Sequence, residues 1–283
     1  MFELKLENTN GSVVDLNDTD RYEVISVSGL NPPSASIFTA KSPNRKGLKY
    51  NGSTLNERIV LIQVKLRGDI EQNRNTLYDW VDPEQFVKIH YSNDSKNVFC
   101  EGYVESCEVD LFTNNEIVSI EVLCPSPYLY AMQEIVTEIS NLLKQFTFPF
   151  AISAEGIPFS TLRDTNTTSV FNSGAETGAR FNITCKGDVT NLRIYDDMDV
   201  SKEFRINRSF ANGWRIVIDT EASPKTCKAY QPDGTEVNIM RYIGANPTWF
   251  TLKKGNNRFG FSADNGSSMI DVSIGFNTKY LGV

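Results

Sequence analysis

Short segments that alternate apolar and polar residues dominate the first half of the chain. In residues 57–66, Ile59 and Leu61 fall on one side, and Val60 and Ile62 fall on the other. Alternation with period two is typical of strands, and apolar residues on both sides predict a strand that is covered on both faces. The same alternation recurs in residues 85–91, 98–112 and 116–123. A polar turn at 92–97 and a reversal at 113–115 connect these segments into a predicted β-meander.

One helix is predicted in this half, between Asp69 and about Val81. Asp69 is a good N-cap residue, and Gln72 three positions later completes a capping-box pattern. Leu77 and Val81 fall on one side of the predicted helix, which provides a face for the core. Pro83 ends the helix because it has no backbone N–H to donate.

The second half contains many short apolar segments at regular spacing, separated by turns such as Asn212-Gly213 and Asp264-Asn265-Gly266. This pattern predicts a β-sandwich or jelly roll. The predicted strands are residues 169–172, 180–186, 190–196, 203–207, 214–220, 226–230, 238–242, 248–252, 257–262 and 269–276.

The two halves meet at Cys124-Pro125-Ser126-Pro127-Tyr128, where two prolines make a stiff exit from the last strand of the meander. We therefore expect a mainly β protein with an N-terminal domain at 1–130 and a C-terminal domain at 131–283. Residues 133–146 remain open from their pattern, since Ile135, Ile139 and Leu142 have helical spacing whereas the run 135–137 favours extended structure.

Composition and charge narrow the possible functions. The 283-residue chain has a formal net charge of −7, which argues against general binding to a phosphate backbone. The first residues lack the pattern of a secretory signal, and no apolar stretch is long enough to span a bilayer. We expect synthesis in a cytoplasm, no membrane insertion and no sequence-specific binding of nucleic acid.

The cysteines and the single histidine do not form a recognisable metal-binding or catalytic motif. No CxxC pair occurs among Cys100, Cys107, Cys124, Cys185 and Cys227, so free and mostly buried thiols are expected rather than zinc ligands. His90 is predicted on the more polar face of a strand, where it has little packing to lose. No nucleophile elbow of the GxSxG type accompanies it.

Other motifs that could carry chemistry have simpler explanations. The loop 255–260 spaces two glycines like a phosphate-binding loop but lacks the Lys-Ser/Thr ending. The cluster 196–199 resembles a calcium loop but lacks the glycine and the distal glutamate. The positions of Glu101, Glu105 and Glu108 are those expected for the solvent-exposed face of a strand. We therefore predict no catalytic, metal or cofactor site and expect the chain not to be an enzyme.

Taken in order, motifs along nearly the whole chain resemble the distal tail protein family of long-tailed phages of Gram-positive hosts. Ser126 departs from the family pattern, which has Asp at this position. The matching motifs are Gly47-Leu48-Lys49-Tyr50, Leu55-Asn56-Glu57-Arg58-Ile59-Val60-Leu61, Arg67-Gly68-Asp69, Glu101-Gly102-Tyr103-Val104-Glu105, Glu108-Val109-Asp110-Leu111-Phe112, Cys124-Pro125-Ser126-Pro127-Tyr128, Phe148-Pro149-Phe150, Gly156-Ile157-Pro158-Phe159-Ser160, Asn172-Ser173-Gly174-Ala175-Glu176-Thr177-Gly178, Leu252-Lys253-Lys254-Gly255-Asn256-Asn257 and Tyr280-Leu281-Gly282-Val283.

The resemblance implies a β-sandwich with a helix and a hairpin in the N-terminal domain, and a galectin-like or carbohydrate-binding-module-like C-terminal domain. It implies a homo-hexameric ring at the distal end of the virion tail, which joins the tail tube protein to a tail-associated tip protein. A receptor-binding protein or a host surface glycan is a further partner that the resemblance suggests. It also favours extended structure after Tyr128.

The turn-rich stretch 40–56 is a candidate arm for ring contacts by strand addition, and a solvated loop is the alternative. Four residues in and beside it are the candidate interface residues: Lys46, Gly47, Tyr50 and Arg58. Two rival functions stay open. One is a carbohydrate-binding module or adhesin, suggested by the second half and by Trp80, Trp214 and Trp249. The other is a glycan hydrolase, suggested only by the available carboxylates.

Overall fold

A computed structural model describes residues 2–41, 43, 46–111, 116–139, 142–144, 160–162 and 167–283. It divides the chain into two compact units, one of Met1–Met132 with Lys279–Val283 and one of Gln133–Thr278. The sequence analysis placed residues 279–283 in the C-terminal domain, whereas their contacts place them in unit 1. The described residues include no helix with the length and hydropathy of a membrane span.

Unit 1 is built mainly from antiparallel strands. In one sheet the strands are ordered β3-β6-β9-β8-β7-β1-β2, while β4 and β5 pair only with each other. Its elements are β1 (Glu3–Asn8), β2 (Val13–Asp15), β3 (Tyr22–Ser28), β4 (Ala35–Lys41), β5 (Leu48–Leu55), β6 (Arg58–Leu66), α1 (Ile70–Val81), β7 (Phe86–Ser92), β8 (Asn97–Val109), β9 (Ile117–Cys124) and the start of β10 (Leu129–Ile139).

The alternation in the sequence determines which side of this sheet forms the core. Along β6, Val60, Ile62 and Val64 are fully buried, as are the alternate residues of β9. The prediction that β6 is covered on both faces is wrong, since Ile59 is 45% exposed in this chain. An apolar residue on the outer face therefore marks a surface that the unit itself leaves uncovered.

The predicted helix is confirmed. The Asp69 side chain accepts a hydrogen bond from the backbone N–H of Gln72 at 3.2 Å. Leu77 and Val81 are fully buried against the sheet, so the helix seals one side of the core. Because a helix of twelve residues is marginal alone, this burial is what stabilises it.

Unit 2 has its own core between two antiparallel sheets. One sheet contains β19-β18-β17-β14-β21 and the other contains β13-β20-β15-β16. Its elements are the rest of β10, β11 (Leu142–Lys144), β12 (Ser160–Leu162), β13 (Thr167–Asn172), β14 (Arg180–Cys185), β15 (Val189–Asp196), β16 (Asp199–Phe210), β17 (Arg215–Asp219), β18 (Thr226–Tyr230), β19 (Glu236–Asn238), β20 (Gly255–Ser262) and β21 (Ile270–Tyr280).

Two predicted strands of unit 2 are wrong. Residues 240–242 form a 3-10 turn because the Asn238 side chain accepts the Met240 N–H at 3.0 Å and ends the strand. Residues 248–252 make only an isolated bridge between Leu252 and Thr177. Their apolar side chains are buried in the core without a ladder, so burial alone produced the strand-like pattern.

The open segment 133–146 is extended where it is described. Residues 133–139 continue β10, and 142–144 form β11, which pairs with β12. The predicted reversal at 113–115, the Phe148-Pro149-Phe150 motif and most of the motif at 156–160 lie outside the described residues. The mainly β fold class is confirmed.

Because unit 2 has a complete core, we predict that residues 133–278 fold when produced alone. Thermal unfolding of this fragment followed by circular dichroism should show one cooperative transition, with the full chain as the reference. A fragment that melts without a transition would contradict the prediction.

Candidate assembly surface

The β4–β5 hairpin, residues 35–55, is here named the hairpin arm. Its strands pair from Ala35 with Leu55 to Lys41 with Leu48, and none of its described residues is buried. At the tip, Gly47 has φ +87, which favours glycine. Lys46, Gly47 and Tyr50 are all exposed, so the structure places three of the four candidate interface residues on this arm.

One face of the arm is apolar. The pairing skips Asn51 of β5, opposite the step from Phe38 to Thr39. Tyr50 and Leu48 therefore lie on the same face as Ile37 and Leu55. The Tyr50 hydroxyl shares a 2.8 Å hydrogen bond with Ser53, which fits this register. Ile37 and Tyr50 are 63% and 62% exposed, and Phe38 on the opposite face is 55% exposed. We call Ile37, Leu48, Tyr50 and Leu55 the arm face.

The root of the arm is fixed by Asn56, which the sequence analysis missed. Its side-chain oxygen accepts from the Ser36 hydroxyl at 2.7 Å, and its side-chain nitrogen donates to the Ser34 hydroxyl at 2.9 Å. The Asn56 backbone N–H also donates to the Ser34 carbonyl at 3.0 Å. These bonds join the two strands where they leave the unit, so the arm extends from a defined root.

Arg58 is the candidate residue that the structure places elsewhere. It is 1% exposed and donates to the carbonyls of Gly29, Asn31 (2.9 Å), Pro127 (2.7 Å) and Leu281 (2.8 Å). Burial lowers its pKa because the cation loses solvation. Arg58 was expected at an interface, but its contacts lie inside unit 1. The sequence gives no signal that backbone carbonyls surround an arginine in an apolar strand.

A second apolar surface crosses the outer face of the sheet. Ile59 pairs with Leu123, Leu123 with Tyr103, and Tyr103 with Phe86, so these four side chains form one line across β6, β9, β8 and β7. The Phe86 and Tyr103 rings meet edge to face at 5.8 Å. Tyr103 is 50% exposed in this chain. We call Phe86, Tyr103, Leu123 and Ile59 the apolar row.

His90 is on the polar face as predicted, but it has more contacts than expected. Its Nε2 lies 2.6 Å from a carboxylate oxygen of Glu7, and its Nδ1 lies 3.2 Å from the Met132 sulfur. The described residues contain no group of three or more His, Cys, Asp or Glu placed to hold a metal. The expectation that His90 has little packing to lose is therefore wrong.

The thiols are free, and four of the five are buried. A hydrogen bond to Cys124, together with burial, raises the pKa of Cys100. Burial raises the pKa of Cys227 to about 12. Such thiols stay protonated and unreactive at neutral pH.

The carboxylates of the cluster at 196–199 already have partners within the protein. Asp197 pairs with Arg258 at 2.7 Å, and Asp199 pairs with Lys202 at 3.0 Å. The loop that resembled a phosphate site, residues 255–260, belongs to strand β20. The residues of both motifs are thus engaged in contacts within the fold.

Because Arg58 satisfies several buried carbonyls, we predict that Arg58→Met lowers the free energy of unfolding by about 3 kcal/mol. Arg58→Lys should lose less, since a lysine keeps the charge but not the planar fork. Chemical denaturation measures both variants against Arg21→Met, a surface control whose parent side chain is 58% exposed. A loss no larger than that of the control would show that the carbonyls do not depend on Arg58.

Comparisons with known proteins agree with this architecture. Residues 172–280 match the family model of the siphovirus-type tail component, C-terminal domain. None of the curated proteins matches the sequence. The structure is similar to that of the Dit protein of phage SPP1, a hub of the adsorption apparatus in phages that infect Gram-positive bacteria, with TM-score 0.71, 16% identity and 99% of both chains covered.

It is also similar to a chain of the phage P2 baseplate in its activated conformation with calcium, with TM-score 0.55, 13% identity and full coverage of both chains. A chain of the phage p2 baseplate with strontium gives TM-score 0.51 at 12% identity, with 98% of both chains covered. At these identities the structures show a shared fold, while the family model adds a sequence match in the C-terminal segment. Together they confirm the resemblance to the distal tail protein family that the motifs indicated, with a sequence match in residues 172–280 and a shared fold over nearly the whole chain.

Proposed function

We propose that this chain forms a hexameric hub at the distal end of a phage or prophage tail tube. The observation that carries the proposal is that unit 1 leaves two different apolar surfaces exposed, the arm face and the apolar row. Two unlike surfaces on one subunit suit a heterologous contact, which closes into a ring when the rotation between copies allows it.

In this proposal, the arm face of one copy packs on the apolar row of the next. The arm face contributes Ile37 and Tyr50, and the apolar row contributes Ile59 and Tyr103. All four side chains are exposed in the single chain. Removing apolar area of this size from water favours association, and aromatic residues are enriched in such contacts. The fixed arm root limits the conformational entropy that binding would remove.

The hub would join the tail tube protein to a tail-associated tip protein, with the ring made in the host cytoplasm before assembly. Likeness to a hub protein of phage SPP1 and to the phage P2 baseplate supports this placement. The formal charge of −7 suits a ring through which DNA passes, because an acidic wall does not retain a polyanion. A receptor-binding protein or a surface glycan is the further partner that unit 2 would carry.

The chain is proposed to act without catalysis. Its single histidine is held by Glu7 and Met132, and neither partner is a serine or cysteine that the imidazole could activate. Several carboxylates that could have served a hydrolase are engaged in ion pairs, such as Glu101 with Lys88 at 3.0 Å. These contacts support a structural role.

One double variant and one single variant test the arm. Because the arm face carries the contact, Ile37→Ser with Tyr50→Ser should abolish hexamers, while Phe38→Ser, on the opposite face of the same arm, should leave them intact. Light scattering coupled to size exclusion measures the mass, and circular dichroism checks the fold. Equal loss of hexamers in both proteins would contradict the assigned face.

A mixing experiment tests whether the contact is heterologous. Tyr103→Ser should also stop ring formation, because it damages the apolar row. Mixed with the Ile37→Ser, Tyr50→Ser protein, it should give dimers and no larger species, since the mixture contains one intact arm and one intact row per pair. Failure of the mixture to dimerise, with both parents folded, would reject the pairing of these two surfaces.

A further inference from the structure

Arg208 occupies an unusual place in unit 2. It lies on β16, the edge strand of its sheet, between Ile206 and Phe210, which are both buried. The pairing of β16 with β15 shifts register at this point, and the Arg208 guanidinium carbon lies 5.7 Å from the centre of the Phe210 ring, which places it beside the core. Its side chain is half-buried. A guanidinium is therefore placed at the edge of the sandwich, next to the buried side chains of Ile206 and Phe210.

Aromatic rings and a second arginine surround this cation. The Arg208 guanidinium carbon lies 5.1 Å from the centre of the Trp214 ring and 4.9 Å from that of Tyr242. Arg241 lies 4.8 Å from the same Tyr242 ring centre and donates to the Tyr242 hydroxyl at 2.7 Å. The two guanidinium carbons are thus at most 9.7 Å apart, the sum of 4.9 and 4.8 Å. Both cations therefore border the same aromatic ring.

These two arginines differ from most others of unit 2. Within the described part of the chain, neither Arg208 nor Arg241 has a carboxylate within salt-bridge distance. In contrast, four arginines of the unit pair with carboxylates, namely Arg180 with Asp219, Arg193 with Glu203, Arg205 with Asp264 and Arg258 with Asp197. A guanidinium that is partly desolvated and lacks an internal anion gains most from an external one, because charge-assisted bonds are stronger there.

We propose that Arg208, Arg241, Trp214 and Tyr242 form a binding site for a saccharide that carries a phosphate group. The phosphate would accept hydrogen bonds from the two guanidinium groups, and the sugar ring would pack on the half-buried aromatic rings. Two cations suit one anionic group, whereas tracking a nucleic-acid backbone needs an extended basic surface that an acidic chain lacks. The inference concerns unit 2 alone and does not depend on ring assembly.

The test measures binding of glucose 6-phosphate and glucose to the full chain by ligand-observed saturation-transfer NMR, and binding of inorganic phosphate, which has no carbon-bound proton, by its competition with glucose 6-phosphate. Glucose 6-phosphate should bind at least about tenfold more tightly than glucose or phosphate alone, since only it uses both parts of the site. Arg241→Ala should weaken this binding about tenfold, as expected for loss of a charge-assisted bond. Arg258→Ala, which removes an arginine that already has a carboxylate partner, is the matched control and should bind like the parent protein.

Arg208→Lys provides a second variant that keeps the charge, so a loss of binding cannot come from removing a packed side chain altogether. It should bind glucose 6-phosphate more weakly than the parent, because a lysine cannot make the planar two-point contact. Three outcomes would overturn the proposal: no binding at about 20 mM glucose 6-phosphate, equal binding by Arg241→Ala and Arg258→Ala, or tighter binding of a thymidine oligonucleotide than of the sugar phosphate.

Discussion

The buried Arg58 guanidinium is the interaction on which the rest of unit 1 depends. It connects three chain segments through their carbonyls, at Gly29 and Asn31, at Pro127 and at Leu281. A buried cation is costly unless its donors are used, and here they are shared among backbone acceptors that would otherwise be left without donors. One side chain therefore fixes the exit of β3, the exit of β9 and the end of the chain.

This contact also determines where the arm begins. Asn31 lies three residues before Ser34, and Arg58 lies two residues after Asn56, so the fixed network flanks the root of the arm on both sides. An arm held in this way presents its apolar face in one direction, which a specific contact between copies requires. In the proposed hub, the stability of unit 1 and the contact between copies are therefore linked through neighbouring residues.

Helix caps and the periodicity of apolar residues predicted those elements that interactions between sequence neighbours determine. Asp69 and Gln72 identified the helix, and alternation identified most strands, because caps and periodicity act over a few residues. The errors arose where tertiary contacts determine whether a face is buried or a segment pairs as a strand. The alternation around Ile59 could not say whether the outer face is covered, and Leu252 is buried without a ladder. At the candidate site, Tyr50 and Lys46 could be placed on an arm, whereas the carbonyls around Arg58 come from residues distant in the sequence.

Crosslinking between copies tests whether the arm face of one copy packs on the apolar row of the next. A photoreactive amino acid at position 50, in a mixture of isotopically heavy and light protein, distinguishes contacts within a chain from contacts between copies by mass spectrometry. Packing of the arm face on the apolar row predicts mixed-isotope crosslinks from position 50 to peptides that contain Tyr103 or Leu123. Crosslinks confined to one chain, or directed to another surface of the second copy, would contradict it.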